Sequence, residues 1–249
     1  MEIKGRVALI TGGTGGLGRR LCLTLNREGA QVALVYHQSE EAAQKLSAEL
    51  SSSGVRSMAV QADVSREEDV ARLVETVMKE FGCIDILIND AAYNTWVAFP
   101  DLEALTLEIW QKILQTNTTG PFLTMRAVGP IMKKQRKGRI INIASIAAFQ
   151  PAGSSIAYSV SKAALVHLTR CMAVALAPEV LVNCVAPGFL EGTRMSSNLA
   201  PAYVERARKS ALTGRAADKE DVIEQILTFI RSESTTGQTV VIDGGRVFH

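Results

Sequence analysis

Paired cysteines, clustered histidines, a strong net charge and long apolar runs are all missing from this 249-residue chain, and each absence removes a class of function. The four cysteines (Cys22, Cys83, Cys171, Cys184) show no paired spacing, and His37, His167 and His249 stand far apart. Neither a disulfide framework nor a metal centre is expected, and the thiols suit a reducing cytosol. A formal net charge of +2 gives nucleic acid or an anionic membrane surface nothing global to hold. The one basic run, 133–139, reads as a solvated turn. No apolar run reads as a membrane span. An apolar strand begins almost at once, at 6–10, without a signal-peptide layout, so the expected location is cytoplasmic.

What remains is an ordinary globular composition, 47% hydrophobic and 21% charged, which fits one α/β domain over 1–249. Short apolar runs at 7–10, 31–35, 57–61, 84–89, 139–144, 180–186 and 239–243 read as strands. Helical patterns fall between them at 19–28, 40–50, 67–81, 105–132, 163–177 and 218–231. That alternation is the signature of a Rossmann-like, doubly wound parallel sheet of about seven strands. Ser65 reads as a helix N-cap with Glu68 as its box partner. The polar Thr116-Asn117-Thr118-Thr119-Gly120-Pro121 inside 105–132 predicts a kink, with Asn117 bonding the backbone there or serving a water relay. An excursion over 188–214, with a short helix at 202–210, has the makings of a lid over a substrate.

The first strand runs straight into Thr11-Gly12-Gly13-Thr14-Gly15-Gly16-Leu17-Gly18 and then a helix. Glycines in that position let the backbone approach a pyrophosphate at the helix N-terminus. After the second strand, Tyr36-His37-Gln38-Ser39 holds no acid to clasp ribose hydroxyls. His37, Gln38 and Ser39 have hydrogen bonds to offer a 2′-phosphate, and Arg19 is a nearby positive charge, which favours NADP and leaves NAD as the alternative. Asp63 either meets the adenine or begins a turn.

The central stretch is 145–162. Tyr158 and Lys162 are four apart near the start of a helix and share one face, while Ser145 ends the preceding strand. A free tyrosine titrates at about 10, so ionising it at neutral pH takes about three units, roughly 4 kcal/mol. A lysine ammonium one turn away supplies part of that. Tyr158 can then trade a proton with a carbonyl or alcohol while Ser145 bonds the same oxygen. The alternative is structural: a buried tyrosine, a snorkelling lysine and a turn-capping serine. Tyr93, Asn94, Trp96, Phe149, Gln150, Phe189 and Met195 are candidate substrate-pocket residues, mostly apolar, with core packing as the other reading of the 93–99 loop.

Taken together, these residues resemble the short-chain dehydrogenase/reductase family, from Thr11 to Gly245. Thr11, Gly12, Gly16 and Gly18 match its glycine loop, Asp63-Val64 its adenine-side motif, and Asn117, Ser145, Tyr158 and Lys162 its catalytic tetrad. Asn183, Pro187-Gly188 and Thr193 match its nicotinamide-side segment. The resemblance implies Tyr158 as general acid/base, Ser145 as carbonyl orienter, Lys162 on the nicotinamide ribose, and Asn117 holding a water that links Lys162 to solvent. It also implies cofactor contacts from Thr14, Leu17, Asn89 and Ala91. The family's Asn-Asn-Ala-Gly is here Asn89-Asp90-Ala91-Ala92. Asp90 loses the donor hydrogens of Asn and Ala92 adds a methyl near the cofactor, so altered stability or cofactor fit is expected.

Within that family the chain looks most like the 3-oxoacyl-acyl-carrier-protein reductases of fatty acid biosynthesis, which use NADPH. This implies reduction of a 3-oxoacyl thioester, an acyl carrier protein as candidate partner with Arg136 and Arg139 in its dock, and a homotetramer pairing 105–132 and 155–177. The alternatives are an NAD(P)-dependent sugar, polyol or other secondary-alcohol dehydrogenase, and a non-catalytic dinucleotide sensor.

Overall fold

Strand residues alternate between two faces, and the sequence gives both faces something apolar to bury. The computed structural model describes residues 1–193 and 201–248, with 201–203 given by main chain alone. Strands β1 (Val7–Thr11), β2 (Gln31–Tyr36), β3 (Ser57–Gln61), β4 (Ile86–Asn89), β5 (Gly138–Ile143), β6 (Val180–Pro187) and β7 (Thr239–Ile242) form one sheet in the order β3-β2-β1-β4-β5-β6-β7. Every pairing is parallel. Ala8 and Ile10 of β1 join a core with Leu21, Leu25, Leu46, Ile226 and Ile230. Those partners lie on helices α1 (Gly16–Arg27), α2 (Glu40–Ser51) and α8 (Lys219–Arg231). Val7 and Leu9 face a second core with Leu73, Val77, Met125 and Ala173. These come from α3 (Glu67–Phe81), α5 (Gly120–Lys134) and α6 (Ile156–Leu176). Helix α4 (Leu107–Leu114) precedes α5, and α7 (Pro201–Lys209) falls within the excursion after β6.

Several expected boundaries move, each for a physical reason. The 105–132 pattern is two helices joined by a π-helical turn, Gln115–Thr119, at the expected kink. Helix α6 begins at Ile156 because the Ser155 hydroxyl accepts the Tyr158 N–H, 3.1 Å. The Ser65–Glu68 box does not form: Arg66 is the N-cap of α3 without a side-chain bond, and the Ser65 hydroxyl donates to Asp63 instead, 2.6 Å.

Arg139 corrects the reading of 133–139 as a solvated turn. It is 2% exposed, in β5. Its guanidinium donates to the Ile230 and Ser232 carbonyls and to Glu233, closing the C-terminal end of α8. It is therefore no part of a carrier-protein dock. Helix α6 also amends the expectation about spans, being long and apolar enough by length and composition to cross a membrane. Its inner residues, Tyr158, Lys162, Leu165 and Thr169 among them, are buried in the fold, as in the core helix of a globular sheet.

Candidate active site

The strand order reverses at β1 and β4, so a crevice opens beyond their C-terminal ends. The glycine loop and the 89–92 segment meet there. The Thr11 hydroxyl accepts the N–H groups of Asp90 (3.1 Å) and Ala91 (3.2 Å). Gly12 has a φ of +68°, and a Cβ on it would lie 2.9 Å from the Ala91 nitrogen. At Gly18 an added Cβ would lie 2.2 Å from the Gly12 carbonyl oxygen. Only glycine lets the loop fold this tightly. Gly15 caps α1 without a side-chain bond, so the first-turn N–H groups of Gly16 and Leu17 point out of the helix end uncapped. Above them, a Cβ on Gly16 would meet the Gly192 oxygen (2.8 Å) and Thr193 (2.9 Å), which sets the 188–193 segment over the loop. A helix end with free donors, held under a backbone cradle, fits a dinucleotide pyrophosphate.

Asp90 shapes that end further. Its carboxylate lies at α1 and accepts the Gly18 N–H, doing the work of the missing cap from another strand. Burial pushes its carboxyl up to about 7, against the pull of the Lys162 ammonium and of that hydrogen bond. The sequence flags Asp90 as a departure from its family, yet no local pattern announces that it closes a helix 72 residues upstream.

The other expected cofactor residues take different positions. His37, Gln38 and Ser39 are exposed beyond β2. The His37 Nε2 lies 3.7 Å from Asp63. Asp63 is engaged in a turn, accepting the Ser65 N–H (2.9 Å) and hydroxyl. Burial raises its carboxyl, and the Ser65 bonds together with His37 more than offset this, leaving it below the usual range. Arg19 pairs with Glu49, 2.6 Å, on the surface. Val64 is buried against Gly120. Asn89 is also turned inward: it donates to Asn142 (2.8 Å) and accepts from Thr124 (2.8 Å), while Asn142 donates to Thr169 (2.9 Å). That polar chain ties β4 and β5 to α5 and α6. Pro187 ends β6, and the Gly188 N–H bonds Ile242, 2.8 Å.

Beyond β5 stand the residues with chemistry. Ser145 is extended, and its hydroxyl oxygen accepts the Ala147 N–H, 3.2 Å, leaving the proton to donate. Tyr158 is 9% exposed, its ring packed with Ile113 and Ala147 and backed by Gly153. Lys162 is 3% exposed; its Nζ donates to the Ile143 carbonyl (2.8 Å) and lies 5.8 Å from the Tyr158 ring centroid. Burial lowers its ammonium to about 8, opposed by the negative charge of Asp90. Asn117, in the π turn, is fully buried and holds the Tyr93 backbone on both sides, accepting its N–H (2.8 Å) and donating to its carbonyl (2.9 Å). It also donates to Ser161, 3.0 Å, so both of its side-chain donors are spent within the protein.

Of the substrate-pocket candidates, Tyr93 and Trp96 are exposed in the loop after β4, with Asn94 between them. Phe149 packs against the core of Ala144, Val166 and Cys184. Gln150 follows it and Phe189 leaves β6; Met195 lies outside the described residues. A cavity of about 330 Å³ opens between Trp96, Phe99, Pro151, Gly153, Arg206 and Arg246. A larger depression of about 530 Å³ runs along α4 past Glu108 and Lys112, and none of the tetrad lines it.

The short chain dehydrogenase family model matches residues 6–203. A 3-oxoacyl-[acyl-carrier-protein] reductase of Synechocystis is 36% identical over 243 residues, covering 97% of each chain. Among solved structures, the NADPH-dependent 3-quinuclidinone reductase of Rhodotorula rubra superposes with a TM-score of 0.90 at 32% identity, over 98% of this chain and 92% of that one. An NAD⁺-bound xylitol dehydrogenase superposes with a TM-score of 0.86 at 28% identity, over 98% and 100%. With a glycine loop at the strand-order reversal, a tyrosine and lysine one turn apart on α6 and a match of this extent, the chain belongs to the short-chain dehydrogenase/reductase family of oxidoreductases.

Proposed function

We propose that this oxidoreductase is an NADPH-dependent ketone reductase whose substrate class is a 3-oxoacyl thioester. The observation that carries the reading is the meeting of Tyr158, Lys162 and Ser145 at the sheet's C-terminal edge, beside the glycine loop. When bound, the reduced nicotinamide supplies hydride to the carbonyl carbon. Tyr158 gives its phenolic proton to the carbonyl oxygen. Ser145 donates to the same oxygen and fixes its direction. Lys162, anchored on Ile143, sets a positive charge by the ring that favours the phenolate left behind, and it is the residue that would hold the nicotinamide ribose. Asn117 is a positioning residue, fixing Tyr93 and Ser161 around Lys162, and a water beside it would link Lys162 to solvent.

The thioester class is supported by the 3-oxoacyl reductase relative, and NADP by the acid-free Tyr36 to Ser39 end of β2. An acyl carrier protein is the partner this substrate implies, with exposed Lys133, Lys134 and Arg136 as its basic ground. The lid expected over 188–214 belongs to the same proposal, with 194–200 lying outside the described residues, and the four free cysteines suit the cytoplasm. The test is loss of NADPH absorbance, and separately of NADH, with an acetoacetyl thioester. Oxidation of NADPH in clear preference to NADH is expected. Preference for NADH would overturn the cofactor assignment, and turnover of polyols with NAD⁺ but not of the thioester would replace the substrate class.

A further inference from the structure

The cavity of about 330 Å³ beside Tyr158 is apolar on its walls and cationic at its rim. Trp96 and Phe99 come from the loop after β4, and Pro151 and Gly153 from the loop after β5; the Val97 N–H binds the Ser154 carbonyl, 2.8 Å, and joins the two loops. Gly153 separates this space from the catalytic ring, since a Cβ on it would lie 3.0 Å from the Tyr158 Cδ1. Two guanidinium groups, Arg206 and Arg246, line the cavity, and among the described residues no carboxylate does.

Arg246 is held there on purpose-built backbone. The Asp243 carboxylate, 4% exposed, accepts the N–H groups on either side of it, Gly245 (2.8 Å) and Val247 (2.8 Å). Gly244 and Gly245 turn the chain with φ of +72° and +82°, and the Gly244 carbonyl accepts the Thr213 N–H. The Nε of Arg246 is buried without a hydrogen-bond partner among the described residues. A buried charged donor left unpaired is costly, and an oxyanion in the cavity, met by a small turn of the guanidinium fork, relieves that cost. Nothing in the hydride-transfer machinery uses this residue.

We propose that Arg246 is a specificity-determining residue that holds an anionic oxygen group, carboxylate or phosphate, at the far end of the substrate from its carbonyl. The inference rests on the ketone-reductase reading and names a substrate class within it. A neutral ketone would leave the Arg246 donor unpaired; a ketone carrying an oxyanion one cavity length away would fill both places at once.

The test compares matched pairs. One arm is a series of oxo acids of increasing chain length, each beside its methyl ester; the other is one 3-oxoacyl group on pantetheine and on 4′-phosphopantetheine. An advantage of about tenfold to a hundredfold in kcat/KM is expected for the anionic member of a pair, the size of one charge-assisted hydrogen bond. The arm in which it appears names the oxyanion as a carboxylate of the acyl chain or a phosphate of the carrier arm. In Arg246→Gln the ratio should collapse towards one through KM, and Arg246→Lys should recover part of it. Equal turnover of both members in both arms by the wild-type enzyme overturns the proposal and leaves ketone reduction standing. If no ketone is reduced at all, calorimetry on the cofactor-loaded protein still decides: tighter binding of the hydroxy acid, or of the phosphopantetheine thioester, than of its neutral partner supports the anion site, and equal binding overturns it.

Discussion

Asp90 is where one side chain changes the behaviour of the whole site. Its carboxylate closes the N-terminus of α1, where the dinucleotide phosphates are expected, and burial brings its ionisation up to about 7. Since the folded value lies above the usual one, the stability it lends is full below about pH 4 and is lost as pH rises through about 7. Its ionised form also repels phosphate, so cofactor affinity should weaken about threefold to tenfold between about pH 6 and about pH 8. Asp90→Asn keeps an acceptor for the Gly18 N–H and removes the charge. Calorimetric titration of the variant should lose the weakening of affinity that Asp90 brings over that range, and its unfolding free energy at neutral pH should rise by about 1–3 kcal/mol. The pH profile separates charge from shape; an unchanged slope in the variant would show that Asp90 does not titrate in this range. Lys162, lowered to about 8, acts in the opposite sense, its stability contribution being lost as pH falls through that value.

At the scale of elements, the sequence pattern is enough for the order of strands and helices along the chain, because apolar period and glycine position encode it. It misleads where a tertiary contact outvotes a local one. Arg139 sits in a basic run and looks solvated, yet its neighbours in space are the last carbonyls of α8, more than 90 residues on. Replacing it with methionine should leave those carbonyls unpaired and cost about 3 kcal/mol, read as a lowered denaturant midpoint. A cost near zero would mean that water satisfies the helix end. Asn89 adds a role that no spacing announces: its side chain turns inward to Asn142 and Thr124 and ties β4 to β5 and α5. The approach of Tyr158 and Lys162 was legible because it needs only one helical turn. The Asp243–Arg246 turn was not, since no spacing announces a guanidinium brought back to the 151–153 loop.

For the molecule as a whole, the exposed apolar groups on α4 to α6 call for a partner. Leu107, Phe122, Val160 and Val174 are 68%, 38%, 41% and 82% exposed, and all lie on the helices expected to pair between subunits. A homotetramer is the assembly we propose, and sedimentation should give about four times the 26.8 kDa chain mass. Val174→Asp should shift that mass towards the monomer, whereas a monomeric wild-type protein would dismiss the assembly. The central claim is chemical, and its most direct measurement is NADPH oxidation with an acetoacetyl thioester by the wild type and by Tyr158→Phe, with cofactor binding followed alongside. Turnover by the wild type, a loss of about 10²–10⁴-fold in kcat in the variant and a cofactor affinity within a few-fold of wild type are the predicted results. A variant that turns over at the wild-type rate, or a wild-type protein that binds NADPH and reduces no carbonyl, would contradict the account.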